Sequence, residues 1–260
     1  MLPDDASTVD RQPNPSDSFP MSKPLFALLL GAITLSAFAQ NQSVSNAPAS
    51  AAVPPQTAQA HADADVVKKA GEWVASLKLD NSAKAARVQE VIATHLKTIR
   101  DWHNEHPFTT VPAGINPVTG KPLSQLDRQI IANSAMPKSV HENLMSGLRK
   151  DLTAEQVEAI LDKYTVGKVA FTMKGYQAIV PDLTPAEEAT ILGFLEQARE
   201  EAVDYKNMNQ ISAIFEIYKT KSEQYLNSNG RSWKALYKAY TDAIKAKKAG
   251  TNTPVAKPAP

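Results

Sequence analysis

The sequence contains no cysteine. That absence excludes disulfides, thiolate metal sites, cysteine nucleophiles and a lipid-bearing anchor cysteine together. An excess of charge of one sign is missing as well: 28 Lys and Arg stand against 27 Asp and Glu, a net charge of +1. Residues 1–39 carry Arg11 and Lys23 against Asp4, Asp5, Asp10 and Asp17, so a chain without them stands at +3. An imbalance that small and that interspersed gives no footprint for nucleic acid or an anionic surface. No apolar run reaches the roughly 20 residues that a membrane-spanning helix needs. Strand periodicity is equally scarce. Residues 166–171 come nearest to a strand, and they are too short and isolated to count as one. Catalytic signatures are lacking too, with no Gly-x-Ser-x-Gly elbow and no His-Glu-x-x-His helix. Residues 114–121 look like a phosphate loop only at a glance. Five residues separate Gly114 from Gly120, Pro122 stands where Ser or Thr is required, and no strand precedes.

What is present begins with an export signal. Lys23 supplies a short basic start, residues 25–35 an apolar run, and Ala37-Phe38-Ala39 a small-residue cleavage site. Residues 21–39 are therefore expected to be a signal peptide cleaved before Gln40, and the product to work in the periplasm or outside the cell. The acidic, proline-bearing residues 1–20 are unlike any signal start and are expected to be an upstream gene-model extension. Residues 40–62, rich in Ala, Ser, Gln, Asn and Pro, read as a disordered linker, and residues 245–260 as a disordered tail.

Residues 63–244 between them carry helical periodicity almost throughout. Val66, Val67, Ala70, Trp73 and Val74 cluster on a first helix over residues 63–77. Val88, Val91, Ile92, His95, Leu96, Ile99, Trp102 and His103 recur at steps of three and four on a second, over residues 82–105. Residues 107–123 hold four prolines and two glycines, a composition no helix survives. Ser124 with Asp127 marks the next helix start, and further helices are expected to about residue 133 and over residues 138–149. Thr153 with Gln156 and Thr184 with Glu187 form capping boxes, and Pro185 sits at the first helical position, where its missing N–H costs nothing. A long helix bearing Ile211, Ile214, Phe215, Tyr218 and Tyr225 should stop at Asn229-Gly230. A last one, from about Ser232, carries Trp233, Leu236, Tyr237 and Tyr240. The expected fold is all-α: one irregular multi-helix bundle with a disordered N-terminal leader and C-terminal tail.

The segment richest in chemistry is Arg100-Asp101-Trp102-His103-Asn104-Glu105-His106. His103 and His106, three apart, could share a face as metal ligands do, but no third ligand follows from spacing, and no metal or other cofactor is expected. Arg100, Asp101, Trp102, His103 and His106 beside the proline-rich loop suit a sugar or peptide ligand better, an aromatic face among polar side chains. His95 and His103 fall on the apolar stripe and read as satisfied, partly buried histidines. Glu196, Glu200 and Asp204, four apart, make an acidic edge that reads as a solvated face, with Lys219 and Lys221 of the next helix available to pair with it. No catalytic residue is assigned.

Ile99-Arg-Asp-Trp-His-Asn-Glu-His106, Leu152-Thr-Ala-Glu-Gln-Val157, Leu183-Thr-Pro-Ala-Glu-Glu188 and Ser222-Glu-Gln-Tyr-Leu-Asn-Ser-Asn-Gly230 together resemble the family known as domain of unknown function 3826, over roughly residues 65–240. The resemblance implies a secreted protein of polysaccharide-degrading bacteria with a sugar-binding role, and no catalytic residues. The two Leu-Thr starts are also similar to the Leu-Thr-x-x-Gln helices of periplasmic Spy-like chaperones, whose repeated pattern this chain lacks. Three functions follow as expectations: a carbohydrate-associated binding or accessory module with a glycan partner; a chaperone-like or structural helical protein; an enzyme of unrecognised class acting on glycans.

Overall fold

The computed structural model describes residues 55–251 except residue 118. The expected leader, most of the expected linker and the end of the tail lie outside the described residues. Nine α-helices, one short 3-10 helix (Phe108–Thr110) and one isolated antiparallel bridge, Ile115 with Pro122, make up the regular structure of the described residues. The all-α expectation holds. Helix α1 (Pro55–Ala75) starts inside the segment read as linker, and α9 (Trp233–Thr251) continues into the one read as tail.

Each helix begins and ends for a local reason. In α2 (Ser82–Glu105) the Asn81 side chain accepts from the Lys84 N–H, and Pro107 stops the helix by forcing His106 out of the helical region. Ser124, Thr153 and Thr184 close full capping boxes with Asp127, Gln156 and Glu187 at the starts of α3 (Gln125–Ser134), α5 (Ala154–Thr165) and α7 (Pro185–Ala202). Helix α4 (Lys138–Asp151) lies between the first two. The N-cap of α8 (Met208–Ser228) is Asn207, and Gly230, at φ 82°, follows its end where the sequence placed a stop. Helix α6 (Lys168–Ile179) occupies the stretch that resembled a short strand and had no assigned helix. Its buried Val169, Thr172, Met173, Tyr176 and Ile179 keep helical spacing. No side chain caps its start; Val166 and Gly167 turn the chain there in the left-handed conformation, at φ 54° and 65°.

Two apolar layers meet where α5 packs on α7. Helices α1, α2, α4 and α5 enclose Val88, Ile92, Leu144, Leu148 and Ile160, all at most 1% exposed. Beyond them α6, α7, α8 and α9 pack around Tyr176, Ile191, Leu195, Ile214, Phe215 and Leu226. Removing one such side chain, Leu148→Ala for instance, costs on the order of 2–5 kcal/mol. The corner between α7 and α8, residues 203–207, reaches back into the first layer through Val203, which is fully buried. That corner positions the site.

Candidate functional site

The side chains of residues 100–106 make contacts with α1, α3 and one another. Arg100 Nε donates to Asp101 at 2.7 Å, and its Nη1 lies 2.7 Å from an Asp63 carboxylate oxygen on α1. Asp101, through its hydrogen bonds, holds the Arg100 guanidinium above its ordinary pKa. Trp102 donates from its indole to the Ala132 carbonyl at 3.3 Å and stacks on His106, ring centroids 3.8 Å apart. His106 Nδ1 lies 3.0 Å from the Trp102 carbonyl, and Gln129 donates to the His106 carbonyl at 3.0 Å. His103 points another way, its Nδ1 3.4 Å from Lys206 Nζ; burial and then that ammonium lower its pKa. Arg128 grips the Val111 carbonyl, which fastens the proline-rich loop onto α3. Neither of the two cavities described below is lined by any of Arg100, Asp101, Trp102, His103 or His106. Among the described residues no three His, Asp or Glu side chains converge as metal ligands.

Chemistry converges instead on Asp204. This carboxylate was read as part of a solvated acidic edge, but α7 ends at Ala202 and the corner turns Asp204 inward. One oxygen lies 3.0 Å from His95 Nε2 and the other 2.9 Å from His141 Nδ1. His95, expected to be partly buried, is buried outright and has its Nδ1 3.2 Å from the Tyr164 hydroxyl. The order of donors follows from chemistry. Burial pushes the Tyr164 hydroxyl far above its ordinary pKa, so it keeps its proton and donates to Nδ1. That leaves the His95 Nε2–H to donate to Asp204.

His141 carries the chain to the surface, its Nε2 3.6 Å from a Glu200 oxygen. The hydrogen bond to Asp204 outweighs burial and raises the His141 pKa, which favours the imidazolium. Burial alone would raise the Asp204 pKa, but hydrogen bonds from His141 and His95 reverse it and hold the carboxyl below its ordinary value. The acidic edge and its partners also differ from expectation. Glu201 accepts from the Tyr218 hydroxyl at 2.8 Å, Lys219 turns to Glu216 at 2.6 Å, and Lys221 sits over the Tyr218 ring, 3.9 Å from its centre.

Asp204 and His141 line an open cleft of about 590 Å³ between the α3–α4 connection and the α7–α8 corner. Glu142, Gln197, Glu200 and Glu201 supply further polar groups, and Met136, Pro137, Tyr205 and Tyr218 an apolar wall. A second cavity of about 230 Å³ lies across α4, where Glu90, Thr94, His95 and Asn143 meet. Helix α4 is the partition between the two. Asn133, which lines the cleft, belongs to a row of buried amides: Gln129 donates to it at 3.0 Å and it donates to Gln210 at 3.5 Å.

A family model described as a protein of unknown function, DUF3826, matches residues 63–246. No curated protein matches the chain.

Proposed function

The chain belongs to the DUF3826 family, and from that premise we propose that its helical domain is an exported binding module that takes a neutral glycan into the cleft beside Asp204. The observation that carries the reading is the composition of that cleft. Carboxylates at Glu142 and Glu200 can accept from sugar hydroxyls, and Lys138 and the Gln197 amide can donate to them. Met136, Pro137 and the Tyr205 ring give the apolar flank that the C–H face of a pyranose packs against. A volume near 590 Å³ lies within the roughly 300–1,000 Å³ range of small-ligand sites. His141 Nε2 is turned to Glu200, which favours a fixed donor over a free base and so binding over catalysis.

Export rests on residues 21–39 and is tested by sequencing the N-terminus of the protein secreted by its host. A chain starting at Gln40 supports it, and a chain still carrying residues 21–39 overturns it. Among the described residues no helix is long and apolar enough to cross a membrane. Binding is tested by calorimetric titration with neutral oligosaccharides. Heat of binding that is lost in Glu200→Ala and kept in Arg100→Ala supports the cleft. The absence of heat across the panel counts against a glycan.

A further inference from the structure

The chain of hydrogen bonds from Tyr164 through His95 and Asp204 to His141 joins four separate parts of the fold. Tyr164 comes from α5, His95 from α2, His141 from α4 and Asp204 from the α7–α8 corner. Every interior polar atom along it is matched, donor to acceptor, and its side chains range from 2% exposed at His95 to 27% at His141. The chain touches open space on two sides, since His95 lines the smaller cavity and Asp204 and His141 the larger. Protons can therefore reach it without the fold opening. We propose that this chain is a proton-operated latch that holds α4 against the α7–α8 corner in mildly acidic surroundings and releases it as the pH rises past neutral.

The groups facing the latch come from every neighbouring element. Helix α4 itself contributes Lys138, Glu142 and Arg149, whose Nη2 lies 3.7 Å from a Glu200 oxygen. Helix α7 brings Glu200 and Glu201, α8 brings Tyr218 bound to Glu201, α2 brings Glu90 beside His95, and α5 brings Tyr164. Around His141 the carboxylates outnumber the cations, so the site favours the imidazolium. A group whose pKa is raised by folding contributes its full stabilisation below the ordinary value and loses it as pH climbs through the raised one. For His141 that loss begins above 6.5. A lowered carboxyl behaves in reverse, so Asp204 gives up its contribution only as pH falls below 3.8. Both contributions are complete between those limits. Above them the neutral imidazole faces Asp204 and Glu200 with one proton instead of two, and the hold on α4 weakens.

The effect on ligand affinity rests on the glycan reading above; the latch itself does not. Hydrogen–deuterium exchange of the mature, ligand-free protein at about pH 5.5 and about pH 8.5, corrected for intrinsic rates, reads it directly. Exchange in α4 and in residues 200–206 should be faster by about tenfold at the higher pH. His141→Gln, which can still donate to Asp204 but cannot titrate, should abolish that difference. Asp204→Asn should exchange fast at both values; if it does not fold, His141→Gln alone decides. Equal protection of α4 at both values in the unaltered protein, or a pH response that persists in His141→Gln, overturns the latch. Repeating the exchange with an oligosaccharide separates the two claims, because a latch that responds to pH in a protein that binds no sugar refutes only the ligand.

Discussion

Glu187 illustrates how one side chain can serve two contacts. It closes the capping box of α7 with Thr184 and, at 2.6 and 2.8 Å, takes a fork of hydrogen bonds from Arg231, which also reaches Asp182. The cap was legible as a four-residue pattern; Arg231, 44 positions away, was not. The guanidinium beside it holds the Glu187 carboxyl down at about 2 against an ordinary 4.5, so its stabilisation is present above 4.5 and lost as pH falls toward 2. Glu187→Gln keeps the cap and loses the ion pair. Thermal melts should place the variant several degrees below the unaltered protein at neutral pH, and the gap should close between pH 4.5 and about 2. Val166 poses the opposite case, a β-branched residue 72% exposed at φ 54°. Left-handed backbone costs such a residue roughly 1–2 kcal/mol, and asparagine tolerates it. Val166→Asn should therefore raise stability by about 1 kcal/mol, read as a melting point about 2–4 °C higher. His95 and Asp204 show the limit of reading residues singly. The periodicity buried His95 correctly, but the carboxylate it meets lies 109 positions on, and nothing local links them.

At the level of elements, the sequence marks a helix where its end carries a side-chain signal. The capping boxes expected at Thr153 and Thr184 both formed, the N-cap expected at Ser124 closed a third, and Pro107 and Gly230 marked stops. Helix α6 had the spacing but no cap, and its opening Val169 and Phe171 mimic a strand, so it went unassigned. Packing between elements is less legible. At the crossing of α2 and α4, a Cβ on Gly147 would meet both Cγ atoms of Val91 at 2.7 and 2.8 Å. A valine rotamer change cannot clear two methyls at once. Gly147→Ala should destabilise by about 1 kcal/mol, overpacking exceeding the gain in helix propensity. Val91→Ala combined with it should show a favourable coupling of similar size in a denaturant-melt double-mutant cycle. Additive effects would mean that the helices approach less closely than the structure places them.

For the whole molecule, composition and period were enough for the fold class, because an all-α bundle needs only amphipathic helices with defined ends. They were not enough for the site. The aromatic and histidine-bearing segment at residues 100–106 drew the eye because its residues are adjacent in sequence, yet their adjacency serves the junction of α1, α2 and α3. The cleft is assembled from α3, α4, α7 and α8, and its central contact joins His141 to Asp204 across 63 positions. Long-range convergence of single polar residues leaves no periodic trace. The cleft should also tie the molecule's conformation to its surroundings, since the carboxylate that shapes it is shared by two histidines.

Whether ligand recognition belongs to this cleft can be read from a two-dimensional amide and side-chain NMR footprint of the mature protein titrated with neutral oligosaccharides. Recognition in the cleft predicts shift changes that saturate and gather on His141, Gln197, Glu200, Glu201, Asp204 and Tyr218. Changes gathered on Arg100, Trp102 and His106, with the cleft residues unmoved, would contradict it.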